Sequence, residues 1–493
     1  MQFSVQDGSS AKRGKPRPEF ILVPRIWDDF SHRTTFTLEQ HEPGTEPRLL
    51  GTVKIVEREP KRGEDGKFHP SVPIHFDELG SKFVSLGQDE DYYKRLLNLL
   101  GLQRAGELLT AMSDISWQPA LAVPFETTSS FRNSLIRYNT AHRARRAGRA
   151  IILGQTIHES AAFRYRAHIP GASTSLKINV QFDGSDKVPG RIACLIGRNA
   201  VGKTQVLAAL AGDLTQITQK SLEEAEKRED RFFGGRPLFT RVVAVSYSAF
   251  DKFRRSKAVD TGYVYCGLRN EKGVPSISHL TTEYERSIRR VIEAGRMVTW
   301  RKSIRQVLDR RDESFKQLLN SQEDGSVSAS GFLDRLSSGE AILTHLTTAL
   351  VSWLEPFSLV LFDEPETHLH PNAVANLFNV LTELLTENDS YALVASHSPI
   401  VLQEIPRKRV LVLSREGDVT TSANLETESF GESLSELTRH VFETNEIENL
   451  YKTTLAELAN EESVKRTLAR FDGQLSQNAS AYLLAKHLSK AKL

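Results

Sequence analysis

Eight consecutive residues, Gly197-Arg198-Asn199-Ala200-Val201-Gly202-Lys203-Thr204, fit the pattern G-x-x-x-x-G-K-[ST]. Glycines near both ends let the backbone curl until successive N–H groups and the start of the next helix face an anion. Lys203 can then reach β- and γ-phosphate oxygens, and the Thr204 hydroxyl can ligate Mg2+. The loop follows the apolar run Ile192 to Ile196 and precedes an apolar helical stretch, Val206 to Leu210, the strand–loop–helix context such a loop requires. A second reactive pair, Asp363-Glu364, ends another apolar run, Leu359 to Phe362. Four apolar residues carry these carboxylates to the carboxyl edge of a parallel sheet, where Asp363 would hold Mg2+ and Glu364 would polarise an attacking water. Gly197, Asn199, Gly202, Lys203 and Thr204 are thus candidate nucleotide-binding residues, Thr204 and Asp363 candidate metal ligands, and Glu364 a candidate catalytic base.

Two further stretches add to this set. Leu336-Ser337-Ser338-Gly339-Glu340 opens a helix running to about Leu354; its hydroxyls and first amides could meet a γ-phosphate, and Ser followed by Glu three residues later is equally a good helix cap. Ser396-His397-Ser398-Pro399 follows the apolar run Ala392 to Ala395, and a histidine there can respond to charge. The first stretch resembles the LSGGQ signature of ABC-type ATPases and the second their switch histidine. The order phosphate loop, signature, Asp-Glu and His is similar to that family over residues from about 160 to 415. Asp363-Glu364-Pro365-Glu366-Thr367-His368-Leu369-His370-Pro371 resembles the DEPE-x-x-LHP variant of the OLD, RecF-like and prokaryotic defence and repair ATPases. The resemblance implies ATP and Mg2+ as cofactors, catalytic roles for Glu364 and His397, and a sandwich dimer in which the phosphate loop of one copy faces Ser337 and Gly339 of the other. ATP would close that dimer and hydrolysis would open it.

The chain departs from the family pattern in places. No glutamine stands in Val245-Ser246-Tyr247-Ser248-Ala249-Phe250, where a contact to Mg2+ and water is expected, so Ser246 or Ser248 would have to substitute. Ser338 replaces the first signature glycine and Glu340 the glutamine. His368 and His370 alternate as a metal pair could, but the motif puts them in a loop near the dimer seam.

The elements that must position these residues are legible as five continuous apolar runs: Ile192 to Ile196, Val242 to Val245, Leu359 to Phe362, Ala392 to Ala395 and Val410 to Leu413. Such runs are strands buried on both faces, as in a parallel sheet. The predicted class is α/β: an ABC-type P-loop ATPase with a mixed or parallel sheet over 158–493, a helical insert at about 271–335 and an acidic helical segment at about 426–493. The insert lacks sustained heptads and is too short for coiled-coil arms. Before the ATPase comes a smaller α+β region, 1–157, a guessed docking place for a partner. Its first twenty residues read as a loose arm, Glu19 to Val23, Thr34 to Leu38 and Gly51 to Val56 as antiparallel strands, and Phe76 to about Ile136 as helical. Phe163 to Phe182 holds two further strand-like runs.

The 493 residues carry 64 Lys+Arg against 62 Asp+Glu, a formal charge of +2, with 39% hydrophobic residues. Balanced charge fits a folded, non-polybasic protein. Two cysteines exclude a disulfide framework or Cys-based zinc site and suit a reducing, cytoplasmic setting. No run is long enough to span a bilayer, and the N-terminus has no signal-peptide core, so no membrane partner is expected. The near-zero total conceals nine basic residues between Arg286 and Arg311, six arginines between Thr127 and His158, and seven Glu between Glu426 and Glu448. The basic clusters suit DNA or RNA phosphates, or else solvated or internally paired faces. No D-x-D pair follows His397, so a TOPRIM nuclease like that of OLD-type relatives is not expected, and any nuclease would be a separate effector. The preferred function is an ATP hydrolase, acting as a homodimer or an oligomer of dimers, that controls such an effector or clamps nucleic acid in anti-phage defence or DNA repair. An ATP-binding transporter subunit and a non-hydrolysing ATP-stabilised scaffold are the alternatives.

Overall fold

Short alternating strands build the N-terminal layer. The computed structural model describes residues 1–5, 19–25, 31–42, 44–155, 160–185, 188–215, 228, 230–248, 251–254, 262–270, 273, 274, 276–441 and 450–490. β1 (Phe3–Val5), β2 (Phe20–Pro24), β3 (Thr35–Gln40) and β4 (Arg48–Glu57) are followed by a ribbon of β5 (Lys61–Arg62) and β6 (Phe68–His69), then β7 (His75–Phe76) and β8 (Phe83–Gly87). The main sheet runs β7-β1-β2-β3-β4-β8, with β1 and β2 parallel. The inward residues Phe3, Phe20, Leu22, Leu38, Val53 and Ile55 are buried with Tyr92, Leu96 and Leu108 of helix α1 (Glu90–Ala111) and Ala141 and Ala144 of α2 (Asn139–Ile152).

Two sequence expectations are corrected here. Residues 3–5 are a strand, not loose arm, because Phe3 stacks on Phe20 and Phe76 and is 1% exposed; the arm's residues 6–18 lie outside the described residues. Phe83–Gly87 is a strand inside a stretch expected to be helical. All five of its residues are buried, since α2 packs on it and Ser113 and Ile115 bond its outer edge through Ser85, so it shows no polar alternation. The domain boundary expected near 157 likewise falls among residues that are not described.

The next layers position the site. β9 (Phe163–Ala167) and β10 (Leu176–Val180) pair antiparallel, and β12 (Phe232–Phe233) joins β9. The central sheet comprises β11 (Ile192–Ile196), β13 (Arg241–Ser246), β14 (Tyr263–Gly267), β15 (Ser358–Asp363), β16 (Tyr391–Ser396), β17 (Val410–Glu416) and β18 (Val419–Asn424). Its order is β14-β13-β15-β16-β11-β17-β18, parallel throughout except for the last pair. All five apolar runs are thus strands of one sheet, and residues on β11, β13, β15 and β16 are buried without exception. α3 (Lys203–Thr215) packs against this sheet and β9, closing a core with Leu195, Val206, Leu210 and Leu361.

The insert consists of α4 (Ile277–Glu293), α5 (Met297–Val307), α6 (Glu313–Asp324) and α7 (Ala329–Leu333). Its fully buried Trp300 donates its Nε1–H to Thr348 Oγ1 at 2.8 Å, on α8 (Ser338–Trp353), and α9 (Pro371–Glu387) and α10 (Pro399–Gln403) complete the helices around the sheet. Residues 1–432 form one compact unit and 433–493 a second. The second comprises α11 (Leu434–Val441), α12 (Leu450–Glu461), α13 (Val464–Ala469) and α14 (Gln477–Lys490), with a small core of Leu455, Ala459, Ala479 and Leu483. No described helix is long and apolar enough to cross a membrane, and Cys194 and Cys266 are buried free thiols.

Candidate nucleotide site

The phosphate-loop pattern folds as a loop between the central strand β11 and α3 because its glycines take conformations a side chain would block. Gly197 has φ 154°, and a Cβ there would lie 2.4 Å from the Leu413 carbonyl oxygen; Gly202 has φ 101° and would meet Ile169 at 2.9 Å. Gly197→Ala is expected to lower thermal stability by about 1–3 kcal/mol through backbone strain. Gly212→Ala, in α3 with open space around the site of its Cβ, is the control expected to be neutral or stabilising. Lys203, buried, folds back over the loop and donates to the carbonyls of Gly197 at 2.8 Å and Arg198 at 3.1 Å. Burial lowers its pKa, opposed by the nearby carboxylates of Glu364, Asp363 and Glu366. Asn199 is exposed.

The ends of β15 and β16 bring the acids to this loop. Thr204 Oγ1 donates to both Asp363 oxygens, at 3.0 and 2.9 Å. Asp363 is 1% exposed, and burial, aided by the negative charges of Glu364 and Asp251, pushes its pKa up to about 7. A buried carboxylate in that state is short of positive charge, which a divalent cation between Asp363 and Thr204 would supply. The donor set, one carboxylate and one hydroxyl beside a phosphate loop, therefore fits Mg2+.

Glu364 adopts φ 50°, a left-handed conformation uncommon for non-glycine residues. His397 Nδ1 lies 3.4 Å from Glu364 Oε1 and 3.5 Å from Glu366 Oε1. The hydrogen bond from His397 draws the Glu364 pKa down, and that same bond raises the His397 pKa.

Two residues here, Glu366 and Asp251, were not singled out by sequence reasoning, whereas Ser246 was. Glu366 accepts from Ser396 Oγ at 2.7 Å and from the His397 amide at 3.1 Å, tying the ends of β15 and β16 together; its Oε2 is buried with no hydrogen-bond partner among the described residues. Where a glutamine is missing, Ser246 is fully buried in register with Asp363, and its Oγ accepts from the Ser248 amide at 3.3 Å. Ala249 and Phe250 are not described, but Asp251 next to them is fully buried and accepts from Tyr265 Oη at 2.9 Å. The second glutamate of the DEPE stretch could have signalled Glu366; nothing in the spacing points to Asp251.

Ser337 and Gly339 stand at the start of α8. Ser337 caps α8: its Oγ accepts from the Glu340 amide at 3.4 Å and its own amide donates to Glu340 Oε2 at 2.9 Å, so the capping alternative is realised. Among the described residues a Cβ on Gly339 would touch only the His368 carbonyl, at 3.6 Å, so packing within the chain does not demand glycine here. His370 is also a cap, its Nδ1 accepting from the Asn372 amide at 3.4 Å at the start of α9.

Several of the clustered basic residues have partners within the chain: Arg145 and Arg290 are buried, whereas the pairs made by Arg143 and Lys302 lie at the surface. Arg145, Arg241 and Arg290 converge on the buried Glu126, Arg296 pairs with Glu355 at 3.2 Å, and Lys302 with Glu383 at 2.6 Å. Arg143 pairs with Glu90 at 3.1 Å, Arg301 with Glu323, and Arg149 donates to the Trp117 carbonyl at 2.7 Å. The acidic stretch 426–448 is described only to 441.

A family model described as "AAA domain, putative AbiEii toxin, Type IV TA system" matches residues 267–403, a span holding the insert, the α8 cap, Asp363-Glu364 and His397. Protein ea59 of Escherichia phage lambda is 29% identical over 527 aligned positions, covering 99% of each chain. The lipoprotein-releasing system ATP-binding protein LolD of Buchnera aphidicola is 24% identical over 217 positions, covering 44% of this chain and 78% of its own. Among solved structures, an archaeal ribosome recycling factor in complex with the ribosomal stalk protein matches at 15% identity with a TM-score of 0.29, over 54% of this chain; the chain spans 39% of that protein. The phosphate loop after β11, the acids after β15 and the histidine after β16 stand on one parallel sheet. The fold is that of an α/β P-loop ATPase of the ABC type.

Proposed function

We propose that the chain binds ATP with Mg2+ and hydrolyses it, that two copies close on ATP, and that this cycle controls a separately encoded effector, a nuclease being the expected one, in anti-phage defence or DNA repair. The observation that carries the reading is the Thr204–Asp363 pair, set at the strand edge beside Glu364 and His397. Lys203 and the amides of 197–204 would hold the phosphates, and Thr204 and Asp363 would hold Mg2+. The ion, when bound, supplies charge neutralisation at the phosphates. Glu364, ionised and steadied by His397, accepts a proton from the attacking water, while His397 would register the γ-phosphate. Ser337 and Gly339 would serve the partner copy's nucleotide, which suits a glycine that packing within the chain does not require.

The OLD- and RecF-like character rests on the DEPE-x-x-LHP stretch, in which Glu366 now has a bracing task. The family description, naming a toxin, and a phage-encoded relative of matching length both suit a role in conflict between phage and host. The burial of Arg145 and Arg290 against Glu126 takes two members of the basic clusters out of reach of a nucleic acid, which supports control of an effector over a nucleic-acid clamp.

Nucleotide binding tests this reading first. Titrated with ATP and Mg2+, the purified full-length chain is expected to bind and Lys203→Ala to lose the affinity by about a hundredfold or more, the scale of a charged group withdrawn from a desolvated partner. Equal binding by the two proteins would refute the site.

A further inference from the structure

The far end of α8 is held in an unusual way. A helix leaves its last carbonyls without partners, and those of α8 are taken up by arginine side chains. Arg296 Nη1 donates to the carbonyls of Val351 at 3.0 Å and Leu354 at 2.9 Å, Arg290 Nε to Ser352 at 2.9 Å, and Arg241 Nη1 to Trp353 at 3.0 Å. Cations at this end also complement the helix dipole. The Trp353 ring lies under the guanidinium groups of Arg290 and Arg241, at 4.5 and 5.6 Å.

Arg296 is paired with Glu355, between α8 and β15, but what gathers Arg241 and Arg290 is not part of the ATPase layers. Glu126 follows the short 3-10 helix Pro119–Ala122 of the N-terminal region and its side chain is fully buried. Its Oε1 accepts from Arg241 at 2.6 Å and from Arg145 of α2 at 2.5 Å, its Oε2 accepts from Arg290, and Arg290 Nη1 also donates to the Val123 carbonyl at 2.8 Å. Arg241 is the first residue of β13, and the last, Ser246, stands in register with Asp363. Just beyond it, Tyr247 Oη is 2.7 Å from His345 Nδ1 in the middle of α8. β13 therefore runs from one buried ionic hub to the nucleotide site, and the roughly 24 Å rod of α8 runs from the same hub to Ser337 and Gly339.

We propose that Glu126 is a positioning residue: by holding Arg241 and Arg290 it fixes the C-terminal end of α8, and so makes the N-terminal region an input to ATP turnover at the helix's opposite end. Ser337 and Gly339 ride on that rod, so its tilt sets where they meet a partner copy's nucleotide, whereas Lys203 and Thr204 do not depend on it. Release of the hub acts on turnover and leaves ATP affinity unchanged. The turnover part rests on the ATPase reading above; the mechanical part does not.

The test is the full-length Glu126→Gln variant, which keeps the shape and removes the charge. With folding confirmed by its unfolding transition, ATP affinity should stay at the wild-type value while kcat falls by about two- to thirtyfold, the usual range of coupling through a fold; Glu126→Asp should recover part of the loss. Hydrogen exchange at the amides of 338–345 should quicken in the same variant. If Glu126→Gln does not fold, Arg145→Met, which trims only the N-terminal arm of the hub, should show the same division between affinity and kcat. Unchanged kcat in a folded variant, or affinity and kcat falling by one factor, overturns the proposal. A wild type that does not turn over ATP defeats the proposed function instead; exchange at 338–345 then decides alone, and no change there overturns the coupling.

Discussion

Glu364→Gln is expected to bind ATP as the wild type does, to lose turnover by about 10²- to 10⁴-fold, and to accumulate as a dimer with ATP but not with ADP. The glutamine keeps the size of the side chain and removes the proton acceptor, while Lys203, Thr204 and Asp363, which would hold the nucleotide and its ion, are untouched. His397 would lose the charge that raises its pKa yet keep Glu366 beside it at 3.5 Å, so the loss should be confined to chemistry. Phosphate release together with sedimentation velocity reads both halves. A variant that turns over ATP at the wild-type rate would remove Glu364 from the role of base; one that stays monomeric with ATP would contradict closure on the nucleotide.

The second large effect is on stability. Glu126→Ala is expected to destabilise the protein by about 3–5 kcal/mol, because it strands three buried guanidinium groups against one another with no counter-charge. Chemical or thermal unfolding measures it, and a cost under about 1 kcal/mol would mean that water enters the hub. The pH dependence follows from linkage. Burial would raise the Glu126 carboxyl, but Arg241, Arg145 and Arg290 hold it well below its ordinary 4.5. The stabilisation is therefore complete above the unfolded value of about 4.5 and is lost only as pH falls further, toward the folded value. Wild type minus Glu126→Gln stability should be flat from pH 8 to about 5 and shrink in stronger acid.

The parts of the fold written in local patterns were open to a sequence reader, and those set by distant partners were not. Five uninterrupted apolar runs announced β11, β13, β15, β16 and β17, because strands covered on both faces carry no polar alternation. The same property hid β8: Phe83–Gly87 is buried on every side and lies among residues spaced like a helix. At the site, Gly197 to Thr204, Asp363, Glu364 and His397 were legible since each follows its strand directly, and β11, β15 and β16 are neighbours in the sheet. Glu126 could not be read, for its arginine partners lie 19, 115 and 164 residues away. Arg145 and Arg290 looked like parts of two basic surfaces and are instead two spokes of one buried cluster. Asp251 was hidden for a similar reason, its charge acting on Asp363 from 112 residues away in sequence.

Steady-state release of phosphate from ATP by the purified full-length chain, with and without Mg2+ and beside Lys203→Ala, bears most directly on the claim that the Thr204–Asp363 and Glu364–His397 pairs form a hydrolytic site. Release that requires Mg2+ and vanishes in Lys203→Ala is the predicted result. A wild type that releases no phosphate, or a Lys203→Ala variant that matches it, would contradict that claim.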